Sequence, residues 1–213
     1  MSKYNIRTFL FSVFLVTFCL GITAVNVIAQ DETEQPEAEA MDKMHQEMMA
    51  KWKEYATPGE NHKALDPMAG EWEYTAKWWN TPDSEPEVSN GTSEAKWIMG
   101  DRYLKQKVEG TSMGQEFKGM GLLGYDNASK EYESVWIDNM GTGIMTGSGT
   151  YDPAARTFEY KGTYSCPMED GKDKSYRSVT KIMSDDKYTF EMYMPGPEGE
   201  EYRALEIVYT RKK

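Results

Sequence analysis

The chain has 213 residues, a formal net charge of −11, 28% charged residues, and only two cysteines and two histidines. Such acidity argues against nucleic acid and anionic membrane surfaces as partners. So few cysteines and histidines exclude a dense disulfide framework and leave little for a histidine-ligated metal centre.

Lys3 and Arg7 give the N-terminus a positive region. An apolar run from Phe9 to Val25 follows, broken only by Ser12, Thr17, Gly21 and Thr23. Val27-Ile28-Ala29 then supplies small residues where a signal peptidase reads, so residues 1–29 are expected to be a signal peptide cleaved after Ala29, with a periplasmic or secreted destination. The run falls short of the roughly 20 apolar residues of a spanning helix, so no stable membrane insertion is expected after cleavage. Phe18 stands before Cys19, where a lipid-attachment site wants a small residue. Without this segment Cys166 is the one remaining thiol, so no internal disulfide can form and stability must come from a core. The rest is long enough for one ordinary domain.

Residues 30–40 (QDETEQPEAEA) are acidic and lack large apolar side chains, the composition of a disordered tether. Residues 41–60 read as an amphipathic helix and linker. Met41, Met44, Met48, Trp52 and Tyr55 fall on one helical stripe, and Thr57-Pro58-Gly59 ends it. That helix is expected to cap one end of the following domain; the competing role is a docking or lid helix.

Residues 61–213 show period-2 alternation in about ten short runs separated by turn residues. The expected strands are Gly70–Trp78, Thr92–Met99, Arg102–Thr111, Phe117–Gly124, Tyr132–Asp138, Thr142–Tyr151, Thr157–Tyr164, Ser175–Met183, Tyr188–Met194 and Glu201–Arg211. Phe117 to Asp138 is the clearest hairpin, turning at Asp126-Asn127, with Trp136 and Asp138 expected inside and Glu131 and Glu133 in water. Short connections impose antiparallel, up-and-down order. The predicted fold is therefore all-β, an antiparallel barrel of about ten strands with one N-terminal helix, closed so that no edge is left exposed. Closure makes the first and last strands neighbours, which puts Arg211 within stacking reach of Trp72.

Gly119 to Gly124 spells G-x-G-x-x-G, but it lies within a strand and ends in a turn. A dinucleotide fingerprint must open a helix. The glycines are better explained as sites where a strand bends or a bulky ring lies over it. His45 and His62 lie off the strands, so a haem or zinc site in the barrel would lack a histidine ligand; no cofactor and no metal are expected. Cys166 is a lone thiol without a resolving partner.

The best site candidates are charged residues that share a strand face with large apolar ones: Arg102, Asp138, Arg177, Glu191 (with Tyr193) and Glu206. Either the arginines satisfy Asp138, Glu191 and Glu206 in an internal ion-pair network, or one of them receives an acidic head group. Trp72, Trp78 and Trp136 would then wall an apolar cavity.

Three stretches, TPGENHKALDPMAGEW, GMGLLGYDNASKEYESVWIDNMGTGIMT and FEMYMPGPEGEEYRALEIVYTRK, together make the span from Thr57 to Lys212 resemble the bacterial family called domain of unknown function 1579. That family is similar to the calycins, which include lipocalins and fatty-acid-binding proteins. The resemblance implies a β-barrel and brings no activity. Where the family pattern has Asp-Pro after the seventh strand, this chain has Ser165-Cys166-Pro167. The expected function is an exported barrel binding a small apolar or amphipathic molecule, with Arg102 or Arg177 anchoring an acidic group. The alternatives are a hydrolase or isomerase using Asp138 or Glu191 as general base, and a filled barrel acting through protein contacts of its N-terminal helix.

Overall fold

A computed structural model of the protein describes residues 34–166, 169–196 and 199–213; the expected signal peptide lies outside them. The chain divides into two units, one ending at Met44 and the other running from His45 to Lys213. Helix α1 (Glu34–Ala56) crosses that division. It begins within the stretch expected to be a tether, because a Glu- and Ala-rich run has high helix propensity. Pro36 falls in the first turn, where its missing N–H would have no intrahelical partner anyway.

The second unit continues with a single helical turn, α2 (Glu60–Lys63), and a 3₁₀ turn at Asp66–Met68. Ten strands follow: β1 (Gly70–Trp78), β2 (Glu87–Ile98), β3 (Tyr103–Ser112), β4 (Gln115–Asp126), β5 (Glu131–Asp138), β6 (Met145–Asp152), β7 (Thr157–Cys166), β8 (Lys172–Ser184), β9 (Lys187–Pro195) and β10 (Glu201–Arg211). They form a closed barrel in which each strand pairs with its sequence neighbours and β1 pairs antiparallel with β10. The expected all-β, up-and-down architecture is the one observed.

Register follows from the alternation. Along β1, Trp72, Tyr74 and Ala76 are buried while Glu71, Glu73, Thr75 and Lys77 face water. Along β5, Tyr132 is buried and Trp136 and Asp138 are half-buried, while Glu131 and Glu133 are exposed. The β4–β5 turn is held by Asp126, whose carboxylate accepts the N–H groups of Ala128 at 2.8 Å and Ser129 at 3.3 Å.

One end of the barrel is closed by residues 59–69. Leu65 and Met68 are 0% and 4% exposed and join Trp72, Leu104, Tyr132 and Phe158 in the core. The lid is tied down by ring donors from the strands. Trp72 Nε1–H donates to Met68 O at 2.9 Å, Trp97 Nε1–H to Asp66 Oδ1 at 2.9 Å, and the Tyr132 hydroxyl to Asn61 O at 2.9 Å. Arg211, the last residue of β10, lays its guanidinium over the Trp72 ring at 4.2 Å. Its remaining donors reach Ala69 O (2.9 Å), Pro67 O (3.0 Å) and Asp185 O (2.7 Å). Gly70, at φ 126°, is left-handed and lies under this guanidinium, where a Cβ would collide with Arg211 Nη1. Only glycine meets both conditions.

The stripe of α1 does not supply this closure. Met48, Trp52 and Tyr55 are 47%, 58% and 45% exposed. The end of α1 is joined to the barrel through its orphan carbonyls instead. Asn127 Nδ2 donates to Tyr55 O at 2.8 Å and Thr57 O at 2.9 Å, and Arg102 donates to Ala56 O. A joint of this kind makes no demand on the apolar stripe, and Met48, Trp52 and Tyr55 stay largely exposed rather than capping the barrel as expected.

Two outcomes test the closed end. Arg211→Ala should lower unfolding free energy by on the order of 2 kcal/mol, because it removes a partly buried cation–π contact and leaves carbonyls unpaired. Arg211→Lys should recover only part of this, since an ammonium cannot stack and fork at once. Denaturant melts measure both. His62, 5% exposed, accepts the Gly59 N–H on Nδ1 at 3.1 Å. Burial, aided by the Arg102 charge and opposed by a backbone hydrogen bond with Tyr125, holds its pKa below 6.5. The unfolded chain then binds a proton that the folded chain resists. The His62 contribution should therefore be constant above about pH 6.5 and be lost as pH falls below it. His62→Gln should flatten that part of the stability profile between about pH 8 and about pH 5.

Candidate functional site

The two ends of the barrel differ. At the closed end the strands are joined by short turns at 99–102, 127–130, 153–156 and 185–186; at the other end the β1–β2 and β5–β6 connections span 79–86 and 139–144. The C-terminal halves of β1, β3, β5, β7 and β9 and the N-terminal halves of their partners surround this open end. Their inward side chains form the candidate site.

Large rings here lie against the wall rather than across the lumen. Trp136 covers Gly119 and Gly121 of β4, Tyr74 covers Gly91 and Gly110, and Tyr176 covers Gly162 with its hydroxyl near Gly147. A Cβ at Gly119, Gly91, Gly110 or Gly162 would collide with the covering ring. The G-x-G of β4 is thus a seat for an indole. Phe117 stacks on Trp136 at 6.4 Å and 20°. Phe117, Trp136, Phe190, Leu205 and Ile207 all pack on the core from inside and yet remain half-exposed. The floor beneath them is solid: Tyr188 stacks on Tyr209 at 4.2 Å, and Trp72 meets Tyr188 edge-on at 4.7 Å.

The interior is polar in places but uncharged. Among the described residues, the buried polar side chains are His62, Ser93, Ser178 and Thr180. Gln106 adds an amide that donates to Ser93 Oγ at 2.9 Å and the Tyr188 hydroxyl at 3.4 Å. Burial raises the phenol pKa of Tyr74, Tyr160, Tyr176, Tyr188 and Tyr209, and pushes Tyr132 up to about 12. These hydroxyls stay neutral at any physiological pH and offer hydrogen bonds without charge.

Charge enters only at the rim. Asp138 Oδ2 accepts Trp136 Nε1–H at 2.8 Å and its Oδ1 accepts the Met140 N–H at 2.9 Å. It therefore fixes the ring and the start of the 139–144 loop, and no arginine approaches it among the described ion pairs. Lys174, opposite Tyr164 in the β7–β8 register, pairs with Glu169 at 2.6 Å, and the Tyr164 hydroxyl reaches Met194 Sδ at 3.7 Å. Trp78 Nε1–H donates to Asn80 Oδ1 at 3.1 Å. Cys166, expected in a loop, ends strand β7 and is half-buried.

The other expected site residues are placed elsewhere. Trp72 is 0% exposed in the closed end and walls no cavity. Arg102 precedes β3 rather than lying in it. Its guanidinium donates to Met99 O at 2.9 Å and Gly100 O at 3.1 Å, besides Ala56 O. Its shared parity with Leu104 does not carry into the turn, where the backbone leaves the extended state at Met99, Gly100 and Asp101.

Arg177, Glu191, Tyr193 and Glu206 are brought together, but on the outer wall. The alternation of β8 buries Tyr176, Ser178 and Thr180, so Arg177 and Val179 face out. Arg177 forks onto Glu201 (2.6–3.2 Å) and stacks on Tyr193 at 4.1 Å. Tyr193 donates to Glu191 at 2.8 Å, and Arg203 joins Glu191 (2.9 Å) to Glu206 (2.6 Å) while covering Trp79 at 4.9 Å. The expected internal network of Arg102 and Arg177 with Asp138, Glu191 and Glu206 is not formed; the ion pairs lie outside and are made with Glu201 and Arg203 instead. A charged ladder is cheap in water and costly in a lumen. Arg203 reaches it because β10 carries a bulge, with the register slipping between Arg203 and Leu205.

Phe117, Tyr164, Lys174, Phe190 and Ile207 were not singled out from sequence. Tyr164 shares the period of Phe158 and Tyr160 and was legible. Lys174 was not, because the polar run before Ser175 hid the true start of β8.

The sequence profile described as Protein of unknown function (DUF1579) matches residues 57–211. The chain belongs to this family. The family name carries no activity, and no curated protein matches the chain significantly. Among solved structures, Rv2717c from M. tuberculosis aligns with a TM-score of 0.53 at 17% identity, covering 74% of this chain and 100% of that one. At that identity the likeness shows the barrel fold alone. A redesigned β-barrel, b11L5F_LGL, aligns with a TM-score of 0.36 at 14% identity, over 70% of this chain and 96% of the other.

Proposed function

We propose that this member of the family is an exported barrel that binds a small apolar or amphipathic molecule through its open end. The supporting observation is the inward but half-exposed set Phe117, Trp136, Phe190, Leu205 and Ile207. In a filled barrel these side chains would be fully buried, as Trp72 and Phe158 are at the closed end. Rings laid flat over glycines take up less of the space between the strands, and apolar walls with sparse polar groups are the usual lining of a small-molecule site. Export is supported by the charge and hydropathy pattern of residues 1–29.

The polar group of such a ligand finds neither Arg102 nor Arg177 in the lumen, since both are engaged elsewhere. Asp138, with each oxygen accepting a hydrogen bond from its own strand or loop, is a positioning group for Trp136 rather than a free base.

Trp136 makes the proposal measurable. Titration with long-chain alcohols, esters and fatty acids should quench and blue-shift tryptophan emission as water leaves the indole face, and Trp136→Phe should lose most of that response while Trp72→Phe keeps it. Absence of any response, together with empty organic extracts of protein purified from its own host, would contradict the reading.

A further inference from the structure

Helix α1 presents a row of large side chains to solvent. Met41 and Met44 are 62% and 65% exposed, and Met48, Trp52 and Tyr55 continue the same face, with Trp52 and Tyr55 edge-on at 5.6 Å. Soluble monomers rarely expose so many contiguous apolar side chains, and such a face is normally an interface. The steps along the row are 3, 4, 4 and 3 residues. They read the same from either end, with Met48 at the centre. An antiparallel, twofold pair of α1 helices therefore sets every member of the row against another member: Met48 against Met48, Met44 against Trp52, and Met41 against Tyr55. Met41 to Trp52 and Met44 to Tyr55 are each eleven residues apart. That repeat lies close to the natural period of the helix, so the row runs nearly straight and two copies stay in contact along it.

Charge selects the same arrangement. Residues 34–47 carry five acids against one lysine, and residues 48–56 carry two lysines against one acid. Antiparallel pairing lays the acidic half of each helix along the basic half of the other, whereas parallel pairing sets acid against acid. Glu47 and Lys51 are exposed and border the row on the same side. About the Met48 centre, Glu47 of one copy and Lys51 of the other lie two residues apart along the axis, about 3 Å. Two equivalent ion pairs follow from the symmetry. The joint to the barrel agrees. The C-terminal end of α1 is fastened through Asn127 and Arg102, so antiparallel helices carry their barrels at opposite ends. Parallel helices packed about 8–10 Å apart would force two barrels into the same space. A lipid surface fits less well, since interfacial helices bear lysine and arginine along the polar face and the first half of α1 is acidic.

We propose that α1 is a self-recognition helix, through which two copies of this chain form a twofold dimer by antiparallel contact of the row from Met41 to Tyr55. The inference is independent of lumen binding, and it gives an occupant to a face that covers nothing on its own barrel.

Sedimentation equilibrium of protein purified from its own host should give twice the chain mass at micromolar concentration. Glu47→Lys and Lys51→Glu each turn both ion pairs into repulsions, so either variant alone should dimerise about tenfold more weakly. Mixed one to one, the two variants should recover wild-type dimerisation, because each copy then offers the other the opposite charges. Within each variant chain positions 47 and 51 carry like charges, so this rescue can come only from contact between chains. Disulfide capture fixes the direction. In a Cys19→Ser, Cys166→Ser background, Met48→Cys should crosslink two chains. Tyr55→Cys should not, because antiparallel pairing holds the two positions about 21 Å apart. A monomeric wild type, a mixture that fails to recover, or crosslinking at Tyr55→Cys in place of Met48→Cys overturns the proposal. So does a monomer that binds phosphatidylcholine vesicles through Trp52, which would give the row to a lipid surface.

Discussion

The stacking of Arg211 on Trp72 is the contact on which the rest of the structure depends. It joins the last residue of the last strand to the first buried residue of the first strand, so it fastens together the two ends of the sheet. The same guanidinium holds Pro67 O and Ala69 O, which seats the 59–69 segment over the opening. One side chain therefore closes the sheet and plugs one end. Ring donors from Trp72, Trp97 and Tyr132 complete the plug, each giving its N–H or O–H to the covering segment. An aromatic side chain with a polar tip suits this junction because its body fills the core while its tip satisfies the lid.

Sealing one end lets the other remain open. The core packed beneath the lid, with Trp72, Phe158, Leu65 and Leu104 fully buried, supplies the hydrophobic stabilisation that the half-exposed side chains near the mouth forfeit. Glycine pairs do the complementary work near the mouth. Opposite Trp136, Tyr74 and Tyr176 the neighbouring strand carries glycine, and the ring settles against the backbone. Removing side-chain volume from the wall thus lets full-sized rings lie flat against it. Charge is sorted by the same economy of solvation: ion pairs run along the outer wall from Arg177 to Glu206, while the interior offers neutral hydroxyls and one amide.

Much of the fold was legible because a barrel writes its parity into every strand. Alternation along β1, β5 and β7 marks the inner face, and short turns fix the antiparallel order; the Arg211–Trp72 contact follows from closure alone. Two kinds of information were not local. Parity says that Arg177 shares a face with Val179 and Glu191 with Tyr193, but not whether that face is inner or outer. Deciding it needs the neighbouring buried row, Tyr176, Ser178 and Thr180, whose polar members disguised it. Parity also fails at a turn, which is how Arg102 came to be grouped with Leu104 when its guanidinium is bonded to the β2–β3 turn and the end of α1. The α1 stripe misled for a related reason: helical spacing reports an apolar face, not what covers it.

The central claim is a barrel sealed at the Arg211–Trp72 end with an accessible apolar lumen at the other. Crystals pressurised with xenon test it most directly, since the gas occupies apolar space without needing a specific head group. The account predicts xenon inside the barrel, bounded by Trp136, Phe190 and Ile207, with none beneath the 59–69 segment. An interior free of xenon, with gas found only in the grooves of the outer wall, would contradict it.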